Sequence, residues 1–218
     1  KAAKRKNSTT GYLYKMISLL TGSLLLSVLH ALIPNHWLPI LAIGRKEKWS
    51  VAKVTEVTLF AGLAHAASTV LIGMLLAFLG YRLASALEHF LLYVAPLLLI
   101  GLGLFYIYQH ARHHHFHLHG HPEQASHEKI ILSLAVAMFF SPCFEIEPYF
   151  LLAGTEGIFF AASIGLMYTV VTVTGMVIWV RLTYTGLMKL NWHAIEHNAG
   201  IITGVILIAS GVASYFIR

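Results

Sequence analysis

Six long apolar stretches, separated by short polar segments such as Arg82–His89, dominate the hydropathy pattern of the chain. A membrane-spanning helix needs about 20 predominantly apolar residues, and each stretch is long enough. They are approximately Met16–Gly44, Val51–Tyr81, Phe90–Gln109, Ile130–Gly154, Ile158–Leu182 and Ile195–Phe216. The pattern predicts an all-α integral membrane protein with six transmembrane helices.

One longer polar segment, 110–128, lies between the third and fourth apolar stretches. It divides a single membrane domain, 1–218, into a half at about 12–109 and a half at about 129–218. The apolar run that starts at Tyr12 is longer than the 7–15 residues of a signal-peptide core. We therefore expect this run to be retained as a membrane helix.

Prolines interrupt the first predicted helix of each half. Pro34 and Pro39 lie in the first half, and Pro142 and Pro148 lie in the second. Proline removes a backbone hydrogen bond, and in lipid a broken helix survives only where protein or water surrounds the break. Matching breaks are typical of transporters built from repeats. Three helices per half is an odd number, which predicts an inverted 3+3 repeat.

Composition agrees with a membrane location. Hydrophobic residues make up 57% of the chain and charged residues 11%, whereas soluble domains carry about 25% charged residues. The net charge of +6 comes from basic residues at the ends of apolar runs, so we expect contact with lipid headgroups and no nucleic acid. The sequence is compatible with a homo-oligomer. Cys143 is the only cysteine, which excludes an intrachain disulfide.

Histidine is the unusual residue type, because 14 histidines outnumber the nine acidic residues. His30 and His36 flank an Asn-Pro break at Pro34 and Asn35. In a straight helix a spacing of six residues rotates by about 600°, which places the two rings on different faces. Local unwinding at Pro34 would direct both rings into one cavity. Two imidazoles and the amide oxygen of Asn35 are suitable ligands for Ni, Co, Zn or Fe(II). The alternative is a pair of packed, hydrogen-bonded histidines.

Two further intramembrane groups extend this prediction. His65 lies near the centre of the second apolar stretch, and Glu145 and Glu147 lie in the second proline-containing break. Ionisable groups inside a membrane are costly and usually functional. The predicted metal site is therefore His30, Asn35, His36, His65 and Glu145, with Glu145 as ligand or proton carrier. The alternatives are an interhelical hydrogen bond for His65 and a membrane-edge position for the glutamates.

The segment 110–128 reads HARHHHFHLHGHPEQASHE and is a metal-binding tract by composition. We predict that it captures or senses metal as an auxiliary site, and the alternative is a flexible polar linker. Its predicted ligands are His113, His114, His115, His117, His119 and His121.

These motifs carry a family resemblance. The string HALIPNHWLP at 30–39 resembles the HAL-x-PGH stretch of NicO-type nickel/cobalt efflux proteins and their UreH-like relatives, in the LysE-like superfamily. Its His-x4-Asn-His spacing is similar to the His-x4-Asp-His signature of nickel/cobalt permeases. His65 in AHAAS resembles their second-helix histidine–serine motif, and Pro142-Cys143 resembles a Pro-Cys pair in their second half. The resemblance implies a nickel or cobalt exporter in a bacterial cell membrane.

We therefore expect a secondary transporter that exports divalent transition-metal ions as its substrate, with no bound cofactor and no enzymatic activity. The chain contains no Walker motif, so an ion or proton gradient would drive it. One alternative is transport of another small solute of the LysE-like group. A second is a di-iron membrane enzyme, with histidine boxes at His110-x-x-His113-His114 and His193-x3-His197. A thiol–disulfide carrier would need a second cysteine.

Overall fold

The computed structural model describes residues 2–112, 127–186, 198, 201–209 and 211–212. The helices are α1 (Ala2–Ala31), α2 (Pro34–Lys46), α3 (Val51–Arg112), α4 (His127–Phe139), α5 (Glu147–Glu156) and α6 (Ile158–Tyr184). The described residues of 198–212 are also helical, and no strand occurs in the described part of the chain. The prediction of an all-α protein is confirmed.

Three stretches of these helices are long and apolar enough to cross a membrane: Tyr12–Lys46, Val51–Arg82 and Ile158–Tyr184. Their outward faces carry large apolar side chains, such as Leu75 at 70% exposed and Phe159 at 91% exposed. Polar side chains, including Ser27, His65 and Thr172, are buried inside. Apolar residues outside and polar residues inside are the arrangement that a bilayer favours, and we treat the chain as a membrane protein.

The predicted helix breaks are present in both halves. α1 ends at Ala31 and α2 begins at Pro34, and Ile33 between them has φ −66° and ψ 119°. The ring of a proline disfavours helical geometry in the preceding residue, which explains the extended backbone of Ile33. In the second half α4 ends at Phe139 and α5 begins at Glu147, with Pro148 in its first turn. Each break leaves a short non-helical segment that is buried in part: Ile33 in the first, and Cys143, Glu145 and Ile146 in the second.

The predicted connection at Arg82–His89 is wrong. Its backbone is helical, and α3 runs for 62 residues through two of the predicted spans. The sequence RLASALEH contains neither proline nor glycine, and its alanines and leucines are strong helix formers. The polar interruption in hydropathy therefore does not mark the end of a helix.

The long helix α3 is the scaffold of the bundle, since it packs against α2, α4, α5 and α6. Its contact with α5 is the closest, because a Cβ at Gly80 would overlap the carbonyl of Leu151 and one at Gly154 would overlap the carbonyl of Ala77. The backbones of α3 and α5 therefore touch directly. Gly157, at φ 134°, then turns the chain from α5 into α6 in a conformation that other residues avoid.

Candidate metal centre

Three histidine rings converge at the first helix break. His30 lies one residue before the end of α1, His36 is the third residue of α2, and His65 lies on α3. All three are buried, with 1%, 7% and 0% of their surfaces exposed. The ring centroids are 4.4 Å apart for His30 and His36, 4.6 Å for His36 and His65, and 5.6 Å for His30 and His65. The break at Pro34 brings the rings of His30 and His36 together, as expected of a local interruption of the helix at this proline.

The second break contributes a thiol to the same cavity. Cys143 is buried, and its Sγ lies 3.3 Å from Nε2 of His30 and 3.7 Å from Nε2 of His36. The backbone N–H of Cys143 donates a hydrogen bond of 3.1 Å to Oγ1 of Thr69, which lies one turn after His65 on α3. α3 therefore positions both its own histidine and the cysteine-bearing segment.

These four side chains form a group that can hold a metal ion. One ligand atom from each of His30, His36, His65 and Cys143 lies within 4.8 Å of the others. Bond lengths of about 2.0–2.1 Å to nitrogen and 2.3 Å to sulfur give a tetrahedron with edges of roughly 3.3–3.4 Å between nitrogens and roughly 3.5–3.6 Å from nitrogen to sulfur. Three pairs lie close to those lengths: Nε2 to Nε2 of His30 and His65 at 3.3 Å, and the two sulfur distances of 3.3 Å and 3.7 Å.

Glu145 lies beside this group, in contact with one of its members. Its Oε2 is 3.1 Å from Nδ1 of His30, and both side chains are buried. The carboxylate and the thiol thus approach the same imidazole from the second break. Glu147 is equally buried, but neither of its carboxylate oxygens has a hydrogen-bond partner among the described residues.

One aromatic ring lies beside the group, and a stacked aromatic pair includes the residue after His36. The ring of Tyr168 lies 5.6 Å from that of His30, and Trp37 stacks on Trp179 with 6.2 Å between ring centroids. Trp37 and Tyr168 are themselves buried. Because the four side chains of the group are buried, the charge of a bound cation must be compensated by nearby side chains.

Several predicted site residues fall outside the part of the chain that can be described. The side chain of Asn35 is one, although its backbone belongs to the first turn of α2. The side chain of His110 is another, as are His193 and His197 of the second predicted histidine box. The auxiliary loop ligands also lie outside the described residues: His113, His114, His115, His117, His119 and His121.

Sequence reasoning missed the thiol of Cys143 as a candidate ligand. A lone cysteine in an apolar chain gives little indication by itself, because free cysteine is commonly a small buried residue. The signal was its place directly after Pro142 and two residues before Glu145, in the break that faces the histidine pair. Only the fold shows that the two breaks meet.

No protein-family model, no curated protein and no solved structure matches this chain.

Proposed function

We propose that the protein is a secondary transporter that exports divalent transition-metal ions across a membrane. One observation carries this proposal: two interrupted helices, one on each side of the 110–128 tract, bring buried ligand atoms within 4.8 Å of one another. Backbone breaks at membrane depth are typical of transporter substrate sites. A purely structural metal site would not require a broken helix from each half.

The donor atoms indicate the kind of ion. Three imidazoles and one thiolate favour borderline and soft ions, whereas Mg²⁺ and Ca²⁺ prefer oxygen ligands. Zn²⁺, Co²⁺, Ni²⁺ and Fe²⁺ are therefore the candidate substrates. Cys143 adds a negative charge to the neutral histidines, because a thiol that binds a metal is deprotonated.

We infer that the two halves of the chain are related by their broken helices, with Pro34 and Pro148 at corresponding breaks, since both lie in the first turn of a resumed helix. The continuous helix α3 replaces the second and third of the six predicted spans, so the 3+3 count is not part of this proposal. The resemblance to NicO-type efflux proteins supports nickel or cobalt as substrate and a bacterial cell membrane as location. A proton or other ion gradient would supply the energy.

The test is metal flux into proteoliposomes that enclose a fluorescent chelator. The purified full chain should transport Co²⁺, Ni²⁺ or Zn²⁺ when a proton gradient is imposed, and should not transport Mg²⁺. Replacing His36 by alanine should abolish the flux, because that variant removes one of four ligands. In cells, expression of the protein should lower metal accumulation.

His127→Ala is the matched control, because His127 is exposed and its Nδ1 accepts a hydrogen bond from Trp49 away from the cavity. It should retain normal flux. Equal flux through the His36→Ala and wild-type proteins would place the pathway elsewhere. An absence of flux for every ion with a folded, inserted wild-type protein would refute the transport function.

A further inference from the structure

The two ring nitrogens of His30 share one neighbour and differ in the other. The Sγ of Cys143 lies 3.4 Å from Nδ1 and 3.3 Å from Nε2. Nδ1 also lies 3.1 Å from Oε2 of Glu145, whereas Nε2 lies 3.3 Å from Nε2 of His65. A carboxylate oxygen only accepts hydrogen bonds, so the Nδ1 of His30 donates to it. In a neutral imidazole with its proton on Nδ1, the lone pair is on Nε2, which faces the cavity.

His65 repeats this arrangement with a backbone acceptor. Its Nδ1 lies 3.4 Å from the carbonyl oxygen of Met138, at the end of α4, and its Nε2 faces that of His30. Both rings therefore have an acceptor behind Nδ1 and present Nε2 to the centre of the group. A carboxylate or carbonyl behind a metal-binding histidine is a common outer partner that orients the ring and increases its basicity.

We propose that Glu145 is a positioning residue, which acts on the metal through His30 and does not bind the metal itself. The carboxylate fixes the Nδ1–H tautomer of His30 and holds the ring with Nε2 directed at the site. The four ligands are then the three histidines and Cys143. This inference rests on the proposed function, because it assigns roles within the same metal site.

Charge supports the same assignment. A bound divalent cation in this buried cavity meets one negative charge from the Cys143 thiolate and a second from the Glu145 carboxylate behind His30. The two charges balance the cation without a fifth ligand. Buried charges are stable only when paired and hydrogen-bonded, and the contact with His30 supplies a hydrogen bond to Glu145.

The experiment is a Co²⁺ titration of the detergent-solubilised full chain, followed by visible and near-ultraviolet absorption. Because Cys143 is the only cysteine, the thiolate-to-cobalt charge-transfer band reports the cavity alone, and metal bound by the histidine tract does not contribute to it. Glu145→Ala should weaken Co²⁺ binding by about 10–100-fold, which is the usual effect of removing a residue that hydrogen-bonds to a metal ligand. Its charge-transfer and tetrahedral bands should keep their wild-type positions at saturation.

Two matched variants complete the design. Glu145→Gln keeps the size of the side chain and an accepting oxygen, so it should lose less affinity than the alanine variant and remains usable if that variant does not fold. Glu147→Gln changes an equally buried glutamate with no hydrogen-bond partner in the described part of the chain, and should bind Co²⁺ like wild type.

The outcomes separate the two proposals. Unchanged Co²⁺ affinity in both Glu145 variants would overturn the positioning role. Shifted tetrahedral bands and a lost oxygen ligand in X-ray absorption of the saturated variants would overturn it as well, because Glu145 would then bind the metal directly. An absence of the charge-transfer band in the wild-type protein would instead contradict the proposed metal site.

Discussion

His30 and His65 face each other through their Nε2 atoms at 3.3 Å, although they are 35 positions apart and belong to different helices. The first is placed by the end of α1 and the second by the first quarter of α3. Two such nitrogens at the edge length of a tetrahedral site form a chelating pair without further movement. The fold keeps this pair within 4.8 Å of ligand atoms of His36 and Cys143.

Replacing Cys143 by serine should convert a soft ligand into a hard one of similar size. We expect Co²⁺ and Zn²⁺ affinity to fall by more than the roughly 10–100-fold that loss of an outer partner costs, and the charge-transfer band to disappear. Ser141→Ala is the control, since Ser141 is exposed in the same segment. Retained affinity in Cys143→Ser, measured by calorimetry, would exclude the thiol as a ligand.

Pro34→Ala should allow α1 and α2 to merge into one helix. Ile33 is extended because a proline follows it, and alanine removes that restriction. His30 and His36 would then point to different faces, and metal affinity should fall about tenfold or more. Pro39→Ala is the matched control, because Pro39 lies inside α2 and the backbone before it is already helical. Equal affinities in the two variants would show that the break at Pro34 does not assemble the site.

Gly154→Ala should destabilise the bundle, because the new Cβ would overlap the backbone of Ala77 on α3. Overpacking of this kind typically costs about 1–3 kcal/mol. Gly101→Ala is a useful control, since nothing lies within 4 Å of the added Cβ, and it should be neutral or stabilising. Thermal unfolding in detergent measures both, and equal midpoints would contradict the direct backbone contact of α3 and α5.

Deletion of 112–121 should reduce the rate of metal transport but not abolish it. The histidines of this tract are predicted to capture metal, and flexible polar segments lack the rigid geometry of a translocation site. Flux into proteoliposomes at limiting and saturating metal measures the effect, which should be largest at limiting concentration. Complete loss of flux in a correctly inserted protein would show that the tract is part of the pathway.

Helical content and the positions of the breaks could be predicted from sequence because apolar length and proline are local signals. The convergence of His30 and His36 also followed locally, from a spacing that only an interrupted helix can turn into one cavity. The continuous path of α3 through Arg82–His89 did not follow, because hydropathy reports burial and not backbone conformation. The approach of Cys143 to the histidines depends on the packing of the second break against α3, which no local pattern encodes.

The thiol at the centre of the site gives the native chain a chemical reporter. Cys143 is the single cysteine among the 218 residues, and it is buried against two imidazoles. A membrane-impermeant maleimide, added to one side of intact vesicles, therefore has one target in this chain. The rate at which Cys143 is labelled from each side shows the side from which the cavity opens. Slower labelling in the presence of metal shows that the site is occupied. Neither measurement needs an engineered cysteine or a cysteine-free background.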